Sequence, residues 1–484
     1  MSKELAECND ISKLLEKIGP HLDQYLRFEQ PDAMVNAEGW QVALGGDVPA
    51  KGIGIDGVIA DMGKHLIPNG SQIPNPGCTS WITTGATSMG VLATLAGSVA
   101  SPQRIGLTAF NYLEEVSLNW MAEMFDLPVG MKGVYSSGGS VANLVALGGA
   151  RQWAFEKLGL DPARDGMCKP CRIYTSEFSH HTIHRSAAVL GMGRASVVGI
   201  PVDENGRMSV KALKHQLAED QDKDFVPVAI VATAGITSTG VIDPLREIGE
   251  VAQKNDIWFH VDGAYGLPGI LDPKKKALYD GLELASSVIV DPHKWLGAPV
   301  GIGATFVKDY GILERGFTQG ESDYLEGSCE DENIESSMDS LGTPYSDFAV
   351  ELSAPPRGAV VWAMIKEIGK EGLRARVCRH NAMAEHVAKR VGDHPNLELA
   401  QKPTLSICCF RYYVEDDMDL DELNKRIHRR LVRNGKNIPS TAVIDGKFVI
   451  RPCFIGARTV MQHADNLVDE VIEIGDRLVA ENKG

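Results

Sequence analysis

The middle of this chain alternates short β-branched runs with stretches of helical periodicity, and that alternation restricts its fold more than any other feature. Residues 172–175, 197–202, 228–233, 257–262 and 287–291 read as strands rich in Val and Ile. Between the third and fourth, Leu245, Ile248, Val251 and Ala252 mark one face of a helix. Strands that alternate with helices build βαβ units, so an α/β fold with a mostly parallel sheet and helices on both faces is expected. In such sheets ligands sit beyond the carboxyl ends of the strands. Thr237, Asp262 and Lys294 fall at those ends.

The rest of the chain completes the plan. Of 484 residues, 44 % are hydrophobic and 23 % charged, enough apolar material for a large core. Residues 1–60 read as a helical arm with Leu14, Leu15, Ile18 and Leu22 on one face. Residues 61–370 read as a large domain, and 371–484 as a smaller α+β domain with strands at 405–412 and 448–454 and a closing helix at 464–478. A helix-like run, 358–369, closes the large domain. The acidic, weakly periodic stretch before it has the character of a functional loop.

Composition also removes whole classes of function. Lys and Arg number 48 against 64 Asp and Glu, a formal charge of −16. That balance disfavours nucleic acid or an anionic membrane as partner. No apolar run is long enough to span a bilayer, and the first residues lack the apolar core of a signal peptide. The nine cysteines are scattered and odd in number, which reads as reduced thiols; a cytoplasmic location is expected.

Four motifs carry chemistry. In Asp291-Pro292-His293-Lys294-Trp295, a lysine follows an apolar strand. A partly desolvated lysine there is suited to Schiff-base formation, although taken alone it reads rather as a surface lysine in a turn, because lysine is common. In His260-Val261-Asp262-Gly263-Ala264-Tyr265, the aspartate can accept from a protonated pyridine nitrogen and keep the ring an electron sink; alone it reads equally as the start of a turn. Ser136-Ser137-Gly138-Gly139-Ser140-Val141-Ala142-Asn143 precedes a helical run and offers N–H groups and hydroxyls to a phosphate. In Ser179-His180-His181-Thr182-Ile183-His184, His180 and His184 have the i, i+4 spacing of two zinc ligands. No HExxH glutamate or third ligand accompanies them, so no metal is expected, and a neutral His180 stacked on a cofactor ring accounts for the position better. Together the four supply what pyridoxal 5'-phosphate needs from a protein.

On these motifs the chain resembles the group II pyridoxal-phosphate-dependent amino acid decarboxylases, from about residue 60 to the C-terminus. The resemblance implies a fold type I enzyme whose sheet is of the seven-stranded kind. It implies Lys294 as the Schiff-base lysine, Asp262 as partner of the pyridine nitrogen, Ala264 on one ring face and His180 on the other, with His181 as the substitute if the motif slips by one. Gly139, Ser140, Ser287 and His293 are then phosphate contacts, and Thr237 lies near the cofactor. Tyr324 is the proton donor to the substrate α carbon, carried by a mobile loop at about 313–343, and Arg451 is the small-domain arginine. The resemblance further implies an obligate homodimer, with the N-terminal arm as interface and the active site between subunits.

Two departures from the family pattern bear on the substrate. Asn75 stands where the aromatic enzymes usually carry histidine, and the usual Ser-Arg-Arg after the loop reads Leu352-Ser353-Ala354-Pro355-Pro356-Arg357. The expected activity is decarboxylation of an L-amino acid to its amine. An aromatic side chain (tryptophan, tyrosine or dihydroxyphenylalanine) is placed first, with Trp81 as an apolar wall and Asn75 and Arg451 as further substrate contacts. An acidic side chain (glutamate, aspartate or cysteine sulfinate), served by Gln103 or Arg104, is the alternative; oxidative decarboxylation to an aldehyde comes third.

Overall fold

The computed structural model describes residues 10–29, 33–104, 108–318, 345–415 and 418–483. Twelve strands are present among them. They are β1 (Cys78–Thr79), β2 (Lys132–Ser136), β3 (Cys171–Ser176), β4 (Val197–Ile200), β5 (Val226–Thr233), β6 (Trp258–Asp262), β7 (Ser287–Val290), β8 (Gly303–Val307), β9 (Leu397–Gln401), β10 (Cys409–Tyr412), β11 (Ile438–Ile444) and β12 (Lys447–Arg451). Seven form one sheet in the order β2-β8-β7-β6-β5-β3-β4. Only β8 runs against the others.

The five strands read from the sequence are β3 to β7. Helices cover both faces of their sheet, so β6 and β7 are buried at every position and read as mostly apolar runs without polar alternation. The strands β2 and β8 escape a sequence reading. Each is five residues long and opens on, or next to, a glycine (Gly133, Gly303), which weakens the β signal. At Gly133 an added Cβ would meet the Leu118 and Phe306 side chains at 2.8 Å, so close packing requires the glycine.

The second sheet, β1-β11-β12-β10-β9, belongs mainly to the C-terminal part, with β1 added in parallel from the N-terminal part. Strand β10 is shorter than the 405–412 expected: only Ile407 bridges to Cys453 ahead of it. The helix expected at 358–369 extends over Arg357–Gly392. Gly369 (φ +64°, ψ 177°) interrupts it, which is why the periodicity stops there, and the helix then resumes. Its Leu373 and Val377 pack into the large core, and its Met383, Ala384, Val387 and Val391 into a second one with the closing helix Met461–Lys483. One helix therefore ties the two sheets together.

The N-terminal helix Ile11–Tyr25 buries none of its residues in the single chain. Ile11, Leu15, Leu22 and Leu26 are exposed. No helix among the described residues is long and apolar enough to cross a membrane.

Candidate active site

Strands β5, β6 and β7 end side by side, with Thr233 in register with Asp262 and Asp262 with Ile289. Their carboxyl ends border a cleft of about 320 Å³. It gathers Gly139, Ser140, His180, Thr237, Asp262, Ala264, His293 and Lys294, eight positions singled out from the sequence. Parallel strand direction is what brings them together: every β-to-helix turn leaves the sheet on the same side.

The glycine turn lies between β2 and the helix Gly139–Glu156. Gly138 has φ +127°, a conformation open to glycine and strained for other residues. A Cβ there would meet His293 Cε1 at 2.9 Å, and one on Gly139 would meet Asp291 Oδ2 at 2.6 Å. The turn is thus pressed against the Asp291–Lys294 segment. No side chain caps the helix, so its first N–H groups face the cleft unclaimed by a cap.

Lys294 follows β7 in a kinked turn (φ −93°, ψ −105°). Its Nζ lies 3.1 Å from Asp291 Oδ2, and that carboxylate is almost fully buried. Asp291 Oδ1 has no hydrogen-bond partner, nor has the buried Thr233 Oγ1. His293 fixes the turn through Nδ1 to the carbonyl of Ile302 (2.7 Å), and burial lowers its imidazole below the usual value.

Asp262 Oδ1 accepts from the N–H of Ala264 (3.1 Å), and Oδ2 from Asn143 Nδ2 (3.0 Å). His180 precedes the helix Thr182–Val189 and bonds through Nδ1 to Thr182 Oγ1 (2.9 Å). Because it stands before that helix, His180 is not one of a pair with His184 on a helix face. Desolvation, only partly opposed by Asp262, lowers the pKa of His180 and favours a neutral ring. The His181 ring lies tilted against it, centroids 4.2 Å apart, but does not line the cleft.

Several of the expected positions lie away from this cleft in the single chain. Ser287 is not at the phosphate turn: it starts β7, at the far end of the strand, and its Oγ is engaged by Trp258 Nε1 (2.7 Å) and His260 Nδ1 (2.8 Å). Asn75 closes a local turn by accepting from the N–H of Gly77 (2.9 Å). Trp81 is 64 % exposed, and its carbonyl accepts from Arg451 Nη1 (2.8 Å). None of Asn75, Trp81 and Arg451 lines the cleft in this chain. Arg104, offered for an acidic substrate, is buried against Glu114 (2.9 Å) and the carbonyls of Glu351 and Tyr135, while the neighbouring Gln103 is exposed. Tyr324 lies outside the described residues. Of the expected loop 313–343, residues 313–317 instead end the helix Gly311–Phe317.

The sequence reading passed over Asn143, Thr182, Thr233, Asp291, Tyr265 and Val300, all of which line the cleft. Asn143 and Asp291 stood inside the motifs and had a usable signal. Asn143 falls four residues after Gly139, on the same helix face, and Asp291 ends the β7 run.

Comparison with known proteins gives a consistent result. The family model described as "Pyridoxal-dependent decarboxylase conserved domain" matches residues 42–413. An aromatic-L-amino-acid decarboxylase of Bacillus atrophaeus is 32 % identical over 353 residues, 72 % of this chain and 70 % of that protein. An L-2,4-diaminobutyrate decarboxylase of Rhizobium meliloti (strain 1021) is 27 % identical over 438 residues, 89 % of this chain and 84 % of the relative. The crystal structure of Oryza sativa TDC with PLP and tryptamine superposes with a TM-score of 0.89 at 22 % identity, covering 99 % of this chain and 100 % of the other; at that identity the likeness concerns the fold.

Proposed function

The chain belongs to the pyridoxal-dependent decarboxylases, enzymes that use pyridoxal 5'-phosphate to release carbon dioxide from an amino acid, and from that premise we propose that its substrate is an aromatic L-amino acid. The observation that carries the substrate reading is the charge of the cleft. Among the described residues lining it, Lys294 is the one Lys or Arg, while Asp262 and Asp291 are both present. A substrate carboxylate in the side chain would meet two acids and no guanidinium. Val141, Val300, Ala264 and Tyr265 offer apolar surface instead. The 32 % identical relative, an aromatic-L-amino-acid decarboxylase, supports the same choice.

The residues present fit the cofactor. The Gly138–Gly139 turn leaves N–H groups and room for a phosphate, and the partnerless Thr233 Oγ1 and Asp291 Oδ1 are buried polar atoms beside the space a ligand would fill. In this reading Gly139, Ser140 and His293 hold the phosphate, Asp262 faces the ring nitrogen, Ala264 and His180 cover the two ring faces, and Thr237 borders the edge. Bound pyridoxal phosphate supplies an aldehyde for the substrate amine and a cationic ring that takes up the electron pair of the breaking carbon–carboxylate bond.

The chain's own groups do the remaining work. Asp291 holds the Lys294 ammonium in place and can take its proton at Oδ2. Neutral His180 packs over the reacting plane without adding a positive charge that would compete for Asp262. Tyr324 gives its proton to the α carbon, so the product leaves as an amine. The exposed apolar face of the Ile11–Tyr25 helix supports a homodimer in which this arm covers the partner.

Amine and carbon dioxide release from a panel of aromatic, acidic and aliphatic L-amino acids tests the substrate reading. Turnover confined to tryptophan, tyrosine or dihydroxyphenylalanine is expected. Turnover confined to glutamate, aspartate or cysteine sulfinate would overturn it.

A further inference from the structure

Behind Asp262 lies a chain of buried side chains that the catalytic reading does not use. Trp258, His260 and Asp262 alternate along β6 and so share one face of the sheet. Ser287 is the cross-strand partner of His260 on β7. Trp258 Nε1 donates to Ser287 Oγ at 2.7 Å, and Ser287 Oγ lies 2.8 Å from His260 Nδ1. His260 Nε2 lies 2.9 Å from Asn143 Oδ1, and Asn143 Nδ2 donates to Asp262 Oδ2 at 3.0 Å. None of Trp258, His260, Ser287 and Asn143 exceeds 2 % exposure.

Donor chemistry gives this chain one direction. An indole N–H can only donate and a carboxylate can only accept, so Ser287 Oγ accepts from Trp258 while Asn143 turns its NH₂ to Asp262 and its Oδ1 to His260 Nε2, and in a neutral ring Nδ1 is left to accept the Ser287 hydrogen. The histidine proton then sits on Nε2 and is donated to Asn143 Oδ1. The amide of Asn143 cannot be reversed, because a flip would set its NH₂ against an N–H and its carbonyl against a carboxylate. Burial, the largest influence on His260, pushes its pKa down to about 4, in keeping with a neutral ring. No ion pair to Asp262 exists among the described residues, so its charge is left for a ligand.

We propose that Trp258, Ser287, His260 and Asn143 form a one-way hydrogen-bond relay that orients the Asp262 carboxylate, with His260 as a positioning residue for the cofactor's ring nitrogen. The proposal rests on the reading above that Asp262 faces that nitrogen. His260 touches neither the cleft nor its contents. It acts by holding Asn143, and Asn143 holds one carboxylate oxygen while the backbone of Ala264 holds the other.

The test uses the full-length protein with His260→Phe, Asn143→Leu and the double substitution. Each single change is expected to weaken pyridoxal phosphate binding about tenfold, the scale of one lost hydrogen bond to a charged group. Each is also expected to move the pH profile of the bound cofactor's visible absorption. The double variant is expected to match the worse single one, because both cut the same chain. Additive losses, or lower thermal stability with binding and absorption profile unchanged, would overturn the relay. Should the variants not fold, histidine-selective ¹H–¹⁵N spectra of the unsubstituted protein decide it: a neutral Nε2–H ring from pH 5 to 8 supports the relay and an Nδ1–H ring refutes it. Asp262→Asn separates the two layers. An unchanged absorption profile in that variant would remove the assignment of Asp262 itself, whatever tautomer His260 adopts.

Discussion

Replacing His380 with glutamine should flatten the acid sensitivity of this fold. His380 lies on the long helix Arg357–Gly392 and is fully buried. Its Nδ1 accepts from Trp295 Nε1 (2.9 Å), and its Nε2 lies 3.1 Å from the carbonyl of Gly456. It therefore joins the lysine turn to the C-terminal part. Desolvation, reinforced by Arg379 and Arg376, pulls its pKa from 6.5 down to about 3. The unfolded chain takes a proton on this ring below pH 6.5, whereas the folded chain refuses it until about pH 3. The contribution of His380 is thus fully present above pH 6.5 and is lost as pH falls from there toward 3. At pH 5 the loss is about 1.5 units × 1.36, or roughly 2 kcal/mol.

Glutamine does not titrate and can keep the donor to Gly456. The indole N–H of Trp295 loses its acceptor, which costs about 1–3 kcal/mol at every pH and cancels when two pH values are compared. Urea unfolding followed by tryptophan fluorescence, at pH 8 and pH 5, measures the difference. The gap between native protein and His380→Gln should move by about 2 kcal/mol in favour of the variant on acidification. Parallel pH dependences for the two proteins would refute the argument.

Four further outcomes are expected. Gly138→Ala must adopt φ +127° and place a Cβ 2.9 Å from His293 Cε1; strain of about 1–3 kcal/mol should weaken cofactor binding about tenfold, and affinity within twofold of the native protein would contradict this. Asp291→Asn removes a buried negative charge pressed against the glycine turn, so pyridoxal phosphate should bind several-fold tighter in a titration, roughly 1 kcal/mol; weaker binding would mean that holding Lys294 matters more than the charge. Tyr324→Phe should lower amine yield and raise aldehyde and hydrogen peroxide, read by product analysis, and an unchanged amine yield would remove its role. Sedimentation at micromolar concentration should show a dimer, and a monomer there would exclude the arm as an obligate interface.

Periodicity was enough to reveal the architecture where strands are buried on both faces. Residues 228–232 form an unbroken apolar run and 257–262 a mostly apolar one, because helices pack on each side of β5 and β6, and no other local structure explains them as well. It failed at β2 and β8, where glycines needed for close packing dilute the β signal, and at Gly369, where one left-handed residue hides the continuation of a helix. Arg104 shows the opposite error. Its charge suggested a substrate contact, but burial beside Glu114 commits it to the core.

The chemistry of Lys294, Asp262 and His180 was legible because each follows or ends an element whose type the residue pattern declares, and parallel topology sends those ends to one side. What each group faces was not. The position of Asn143 on the face of Gly139 brings it toward the cleft, but the residue pattern does not tell that it bonds to Asp262, nor that Ser287 is engaged by Trp258 and His260 at the far end of β7. Contacts between residues 117 and 119 positions apart, such as His260–Asn143 and Asn143–Asp262, exist only after the sheet has closed. Sequence spacing specifies the elements and the order of their ends; hydrogen-bond partners and charge balance follow from packing, because only packing decides which polar atoms lose water together.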